Sequence, residues 1–290
     1  MCIRDRDELT DELEGFSSYG TEDGQFIWPV NILTGPNGDL FVSDEYTNRI
    51  TRLDNEGNFI SKFGEQGSGD GQFDGPTGIA FDPSGNLVVC DSKNHRIQRY
   101  TIDGEYLQSF GNFGSSGGEL NLPWGIEVDE NDDVYVADWG NNRVQVFNND
   151  GDLKNTFGRT GSGDSEFQRP TGISVDSHGD IYVADWGNNR VLQFNKDGDQ
   201  VWSFRGDATL SKVARNYMLT NAVPNRLRES GRLEDERYIR RPRSVRVDEN
   251  FRLFIPDYES YRVQVYQKDF IELDETQFAA PLRNPTLEVT

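Results

Sequence analysis

The residues best suited to chemistry in this sequence recur at a fixed step, and the recurrence decides what they do. An aspartate is followed five positions later by an arginine at Asp44 and Arg49, Asp91 and Arg96, Asp138 and Arg143, Asp185 and Arg190, and Asp257 and Arg262. A carboxylate and a guanidinium at that spacing can pair across one tight turn, while the carboxylate also accepts from the turn's backbone amides. Five copies of one pair predict a scaffold that pins hairpins, because catalytic constellations are seldom repeated five-fold.

Other reactive types are scarce. There are two histidines, His95 and His178, and two cysteines, Cys2 and Cys90. Cys90 ends the run Leu87-Val88-Val89-Cys90 and reads as a small buried hydrophobe, and no disulfide framework exists. Catalytic zinc generally takes three protein ligands, more than two histidines supply. The serines lie scattered in turns with no histidine beside them, so no nucleophile–base pair is readable. No cofactor or metal is called for.

A second set of residues varies between the copies. Just after each aspartate stand Glu45, Ser92, Trp139, Trp186 and Tyr258, and around a recurring proline stand Trp28, Trp124, Arg169, Arg241 and Arg243. Exposed aromatic rings beside arginines are what recognition surfaces use. The candidate ligand-binding residues are therefore Trp28, Trp124, Trp139, Trp186, Tyr258, Arg169, Arg241 and Arg243. The competing reading is that Trp139 and Trp186 merely pack on a neighbouring unit.

The elements that must position these residues follow from the repeat. Pro29, Pro76, Pro123 and Pro170 are 47 residues apart, as are the aspartates and arginines of the first four pairs. The fifth copy, at Pro242, is displaced by 72, so 25 extra residues precede it. Each unit reads as four short strands, here called a to d. In the third they are Gly125–Val128, Val134–Ala137, Val144–Phe147 and Leu153–Phe157, separated by Asn-, Asp- and Gly-rich turns. A four-stranded antiparallel sheet cannot bury both faces alone, and radial stacking of such sheets does so; no 3.6-residue period supports a helical solenoid. The fold class is all-β, a β-propeller of five full units and one leading strand d.

In that geometry the b–c turns and the d-to-a connections share one face, and the a–b and c–d turns share the other. The candidate ligand residues gather on the first face, at the mouth of the channel. His95 and His178 fall on opposite faces. Turns of the second face, such as Asp82-Pro83-Ser84-Gly85, lack the alternating ligand spacing of a calcium loop. The insertion, about residues 206–238, interrupts a d-to-a connection of the first face. The spacing predicts a helix over Thr209–Asn221 and a second short one from Pro224 to Gly231. From Arg205 to Arg243 there are ten basic and five acidic residues, a cationic lid beside an acidic ring. Such a lid would clamp onto the acidic loops or gather an anionic ligand.

Units such as Pro170-Thr171-Gly172-Ile173, Ile181-Tyr182-Val183-Ala184-Asp185 and Asn189-Arg190-Val191, with the joining stretch Gly67-Ser68-Gly69-Asp70-Gly71-Gln72-Phe73, resemble NHL repeats over about residues 13 to 270, apart from the insertion. The resemblance implies a propeller domain over 13–290, with six blades expected when complete. Phe16 falls where an earlier unit would end, and residues 1–12 read as a leader foreign to the repeat. For function the resemblance is permissive: NHL propellers include RNA readers, protein-docking modules, sensor domains and an amidating lyase.

Charge narrows the choice. The 290 residues carry a net charge of −21, from 29 Lys and Arg against 50 Asp and Glu, which argues against wholesale binding to nucleic acid or an anionic membrane surface. No apolar run approaches membrane-spanning length. The reading is a non-enzymatic, monomeric binding propeller for a protein or peptide, or else a small ligand, docking at the Trp28, Trp124 and Arg241 end of the channel. The alternative is a metal-dependent lyase or lactonase-like propeller enzyme, against which stands the paucity of ligands at the channel ends of the a strands. Third comes an RNA-binding NHL propeller, which needs a basic face that only the lid offers.

Overall fold

The computed structural model describes residues 17–206 and 238–268. The expected helices of the insertion, residues 15–16 of the leading strand d expected around Gly15 to Tyr19, and the segment after Lys268 lie outside the described residues; Ser17 and Ser18 are in no strand and Tyr19 makes only an isolated bridge to Phe26. Within them the repeat becomes a series of antiparallel sheets, each with its strands in sequence order. Blade 1 is β1 (Pro29–Thr34), β2 (Leu40–Asp44), β3 (Arg49–Leu53) and β4 (Phe59–Phe63). Blade 2 is β5 (Pro76–Phe81), β6 (Leu87–Asp91), β7 (Arg96–Tyr100) and β8 (Tyr106–Phe110). Blade 3 is β9 (Pro123–Val128), β10 (Val134–Asp138), β11 (Arg143–Phe147) and β12 (Leu153–Phe157). A two-residue parallel pair, β13 (Arg159–Thr160) and β14 (Glu166–Phe167), lies in the next connection. Blade 4 is β15 (Pro170–Val175), β16 (Ile181–Asp185), β17 (Arg190–Phe194) and β18 (Gln200–Phe204), and blade 5 is β19 (Arg246–Val247), β20 (Arg252–Asp257) and β21 (Arg262–Gln267).

The core lies between blades. One buried cluster joins Tyr135, Ala137 and Val144 of blade 3 to Ile173, Val183 and Leu192 of blade 4. Equivalent clusters join blades 1 and 2 through Phe41, Ile50, Ile79 and Val89, blades 2 and 3 through Val88, Ile97, Ile126 and Val136, and blades 4 and 5 through Tyr182, Val191, Val245 and Leu253. Each sheet thus buries a face on each neighbour, which is how a thin repeated unit with few apolar residues acquires a core.

Near the axis the a strands pack backbone to backbone. A Cβ at Gly78 would lie 2.6 Å from the Trp124 carbonyl oxygen, and one at Gly172 would lie 2.6 Å from the Ser244 Cα, so glycine is required by close approach. The d-to-a connections fold back on themselves in parallel bridges, Tyr19 with Phe26, Gln66 with Phe73 and Phe113 with Leu120. Each of these, and the β13–β14 pair, plants an apolar plug beneath the loop: Phe26 is buried, and Phe73, Leu120 and Phe167 are fully so.

Among the described residues the two outermost faces are exposed. Ile32 of β1 is 47% exposed, whereas its counterparts Ile79, Ile126, Ile173 and Val245 are 3–5% exposed. Val263 of β21 is 39% exposed, against none for Ile97, Val144 and Val191. Among the described residues, therefore, nothing covers the leading face of blade 1 or the trailing face of blade 5.

Candidate functional site

The recurring Asp–Arg residues are built into the scaffold of one face. In blade 4, Arg190 Nε donates to Asp185 Oδ2 at 2.9 Å, and its other nitrogens donate to the carbonyls of Ser162, Gly163 and Glu166 in the preceding connection. Asp185 Oδ1 accepts the Gln168 amide at 2.8 Å and Oδ2 accepts from Asn188. Asp91–Arg96, Asp138–Arg143 and Asp257–Arg262 are joined in the same way at 2.8 Å. Each pair therefore ties a b–c hairpin to the loop that enters its own blade. Burial pushes the Asp91 and Asp185 carboxyls above their ordinary value, against the hydrogen bonds that pull them down.

Blade 1 differs from the expected pairing. Asp44 spends its oxygens on the amides of Ile27, Trp28, Tyr46 and Thr47. Arg49 turns entirely to the carbonyls of Thr21, Glu22 and Gln25, leaving its Nε without a partner. Here the carboxylate is rotated onto the incoming chain, so no ion pair forms between Asp44 and Arg49.

After each paired aspartate of blades 2 to 5 the chain makes a single 3-10 turn, at Ser92–Asn94, Trp139–Asn141, Trp186–Asn188 and Tyr258–Ser260. Every such turn ends on a left-handed residue: His95, Asn142, Asn189 or Tyr261, with φ between 52° and 56°. Three of these and their blade 1 counterpart reach the next blade. Asn48 accepts the Gly75 amide, His95 Nδ1 that of Leu122, Asn142 that of Arg169 and Asn189 that of Arg241, at 2.7 to 3.0 Å. The four amides belong to residues that are themselves left-handed, at φ 66°, 51°, 58° and 49°. Burial holds His95 below the ordinary histidine value, in keeping with a neutral ring that accepts at Nδ1.

This latch sets Arg169 and Arg241 beside the tryptophans of the 3-10 turns. The Arg169 guanidinium lies 4.9 Å from the Trp139 ring centre and 5.9 Å from that of Trp186, and Arg241 lies 5.1 Å from Trp186. Trp139, Arg169, Trp186 and Arg241 thus form one ladder of cation–π contacts running from blade 3 to blade 5. Arg243 stacks on Tyr258 at 4.2 Å. Arg241 meets Glu259 at 3.1 Å. No carboxylate among the described residues pairs with Arg169 or Arg243.

Trp28 and Trp124 stand apart from the ladder. Trp28 is 61% exposed at the entrance to blade 1. Trp124 is half-buried in β9, and its carbonyl accepts from Thr77 Oγ1 at 2.9 Å, which makes it part of the channel wall.

Sequence reasoning passed over one pair in the channel. Arg246 of blade 5 reaches past blade 4 to Glu127 of blade 3, Nη1 to Oε2 at 2.7 Å. Desolvation pushes the Glu127 carboxyl up to about 7, only partly countered by the guanidinium. Leu33, Ala80 and Ser174 occupy the same position in blades 1, 2 and 4, so two residues of opposite charge at one otherwise uncharged repeat position were the available signal.

On the opposite face a cleft of about 430 Å³ opens between blades 3 and 4, lined by Asp129, Asp133, Tyr135, His178 and Lys196 among others. The Asp129 carboxylate there is occupied by the amides of Asn131 and Asp133 and by the Tyr135 hydroxyl. Among the described residues no group of three or more His, Cys, Asp or Glu side chains is arranged to hold a metal ion. No helix among them is long and apolar enough to cross a membrane.

Comparison with known proteins agrees with this architecture. The 6-bladed beta-propeller family matches residues 126–219, and the NHL repeat matches residues 73–100. No curated protein matches the sequence. Among solved structures, virginiamycin B lyase from Staphylococcus aureus is similar at a TM-score of 0.53 and 15% identity, over 84% of this chain and 71% of that one. A chain of a nidogen/laminin complex is similar at 0.57 and 17%, over 82% and 75%. A gluconolactonase from Xanthomonas campestris is similar at 0.53 and 17%, over 80% and 71%. Identities this low carry the fold alone. The repeat match, the inter-blade cores and the strand order agree: this chain is a β-propeller of four-stranded antiparallel blades, with an NHL repeat at residues 73–100.

Proposed function

We propose that the protein is a non-enzymatic binding propeller that docks a protein or peptide on the face bearing Trp139, Arg169, Trp186, Arg241, Arg243 and Tyr258. The observation that supports this reading is the ladder itself. Aromatic rings and guanidiniums are held on short 3-10 turns and the latch, and two of the guanidiniums have no acidic partner among the described residues. Aromatic and arginine side chains on a fixed frame are what binding hot spots are made of. That one structure of similar fold is of a nidogen/laminin complex adds that such a propeller can serve in protein association.

The experiment is selection of a random displayed-peptide library on the folded protein, with counter-selection on Trp139→Ala/Trp186→Ala. Peptides that bind the parent and lose at least tenfold affinity for the variant are the expected outcome. Peptides binding both proteins equally would place the docking site elsewhere.

A second reading, an enzyme acting in the channel, is favoured by Glu127 alone, a carboxyl near neutrality and so suited to proton transfer. Lactone hydrolysis in the presence of divalent cations that disappears in Glu127→Gln would establish it.

A further inference from the structure

We propose that the docking face selects an acidic peptide segment, whose carboxylates pair with the Arg169 and Arg243 guanidiniums while its apolar parts lie against the rims of Trp186 and Tyr258. This rests on the docking reading above and adds the chemistry of the ligand.

The first ground is that the fold does not need arginine at the latch, which bears on Arg169; Arg243 lies outside the latch and rests on the second ground. The latch requires only an amide in left-handed conformation, and Gly75 and Leu122 supply it in blades 2 and 3 with the same hydrogen bond. Blades 4 and 5 place arginine there, at φ 58° and 49°, a conformation disfavoured for residues bearing a Cβ. Glycine would meet the backbone requirement with less strain. The side chain is the part left to explain.

The second ground is the state of the guanidiniums. Stacking on an aromatic face fixes the plane and leaves the N–H edge free to donate, the geometry that accepts a carboxylate bidentately. Arg169 stacks on Trp139 and Arg243 on Tyr258, and neither has a carboxylate partner among the described residues. In a chain with 50 acidic residues, most other cations among the described residues find one. Lys93 meets Glu45, Lys154 meets Asp133, and Arg99 is shared by Asp82 and Asp132.

The third ground separates a peptide from a nucleic acid. Trp186 already carries the guanidiniums of Arg169 and Arg241, so it offers no open platform for a stacked base. A polyphosphate would also extend beyond the ladder over a protein of net charge −21. A short acidic segment needs only local complementarity, within the 8 Å or so over which charges act at physiological salt.

The test uses fluorescein-labelled hexaglutamate, hexaglutamine and a uridine hexanucleotide, titrated by anisotropy at physiological ionic strength, with tryptophan emission as a second signal. Hexaglutamate is expected to bind and to quench or shift the emission. It should weaken at least tenfold in Arg169→Gln/Arg243→Gln, and retain its affinity in the charge-matched control Lys62→Gln/Lys154→Gln. Thermal melting establishes that each variant is folded. Equal affinity for hexaglutamine, equal or tighter binding of the nucleotide, or equal loss in the control would overturn the proposal. If hexaglutamate fails while selected peptides still bind the ladder, the carboxylate preference falls and the docking face stands. If both fail, both fall.

Discussion

Replacing Arg190 by methionine should destabilise the protein more than the same change at Arg49, although the two arginines occupy one position of the repeat. Arg190 is 2% exposed and its partner Asp185 is fully buried. Methionine keeps the aliphatic bulk but removes the bond to Asp185 and three bonds to the Ser162–Glu166 loop. Asp185 would keep only the Gln168 amide and the Asn188 amide group. A buried carboxylate stripped of its cation costs about 3–5 kcal/mol. At Arg49 the carboxylate of Asp44 is already satisfied by backbone amides, and only three loop carbonyls lose a donor. That loss should be about 2 kcal/mol, the scale of a charge-assisted hydrogen bond plus imperfect compensation by water. Urea denaturation followed by circular dichroism, with linear extrapolation, measures both. The pair Arg190→Met/Asp185→Asn should recover part of the loss, since the stranded charge is then gone. Equal losses at Arg49 and Arg190, or less than about 1 kcal/mol at Arg190, would refute the argument that carboxylate burial gives the pair its weight.

Two further perturbations read protonation. The Glu127 carboxyl stands near 7 when folded against 4.5 otherwise. An acid raised by folding favours the folded state at low pH, and its penalty grows as pH rises from about 4.5 to about 7. Glu127→Gln should therefore gain stability relative to the parent by up to about 3 kcal/mol between pH 4 and pH 8, read as a difference in melting temperature; a pH-independent difference would contradict the burial of that carboxyl. His95 has the opposite sign: a base lowered by folding contributes stability above its ordinary value and loses it as pH falls through the folded one. His95→Asn, which installs the acceptor used by blades 1, 3 and 4, should flatten the acid limb of the stability curve, and an unchanged limb would show that the His95–Leu122 latch is dispensable.

The fold was legible because a propeller writes its geometry into a period. The 47-residue spacing of Pro76, Pro123 and Pro170 fixed the blades, and alternating apolar residues in segments such as Val134–Ala137 fixed the strands. What stayed hidden were contacts between units. That Phe73, Leu120 and Phe167 are plugs beneath the connections is not visible in a linker read as glycine-rich. Nor could the sequence show that the collar glycines Gly78 and Gly172 meet the backbone of the next blade. A repeat tells which residues are equivalent, and only the rotation between copies tells which residues touch.

The same logic sorts the candidate site. Trp139, Arg169, Trp186 and Arg241 were singled out because they vary at repeat positions, and their ladder depends on adjacency between blades that the repeat register implies. An arginine at the latch position of one blade necessarily falls beside the aromatic residue that opens the 3-10 turn of the preceding one, since Asn142 follows Trp139 by three residues and holds Arg169 by its amide. Trp28 and Trp124 vary as well, yet Trp28 stands exposed at the entrance to blade 1, apart from the ladder, and Trp124 contributes its carbonyl to the channel wall. Variation at a repeat position marks residues released from the scaffold. Two such released positions are brought together by the latch at blades 3 to 5, where they form the ladder of cation–π contacts on which the proposed docking face rests.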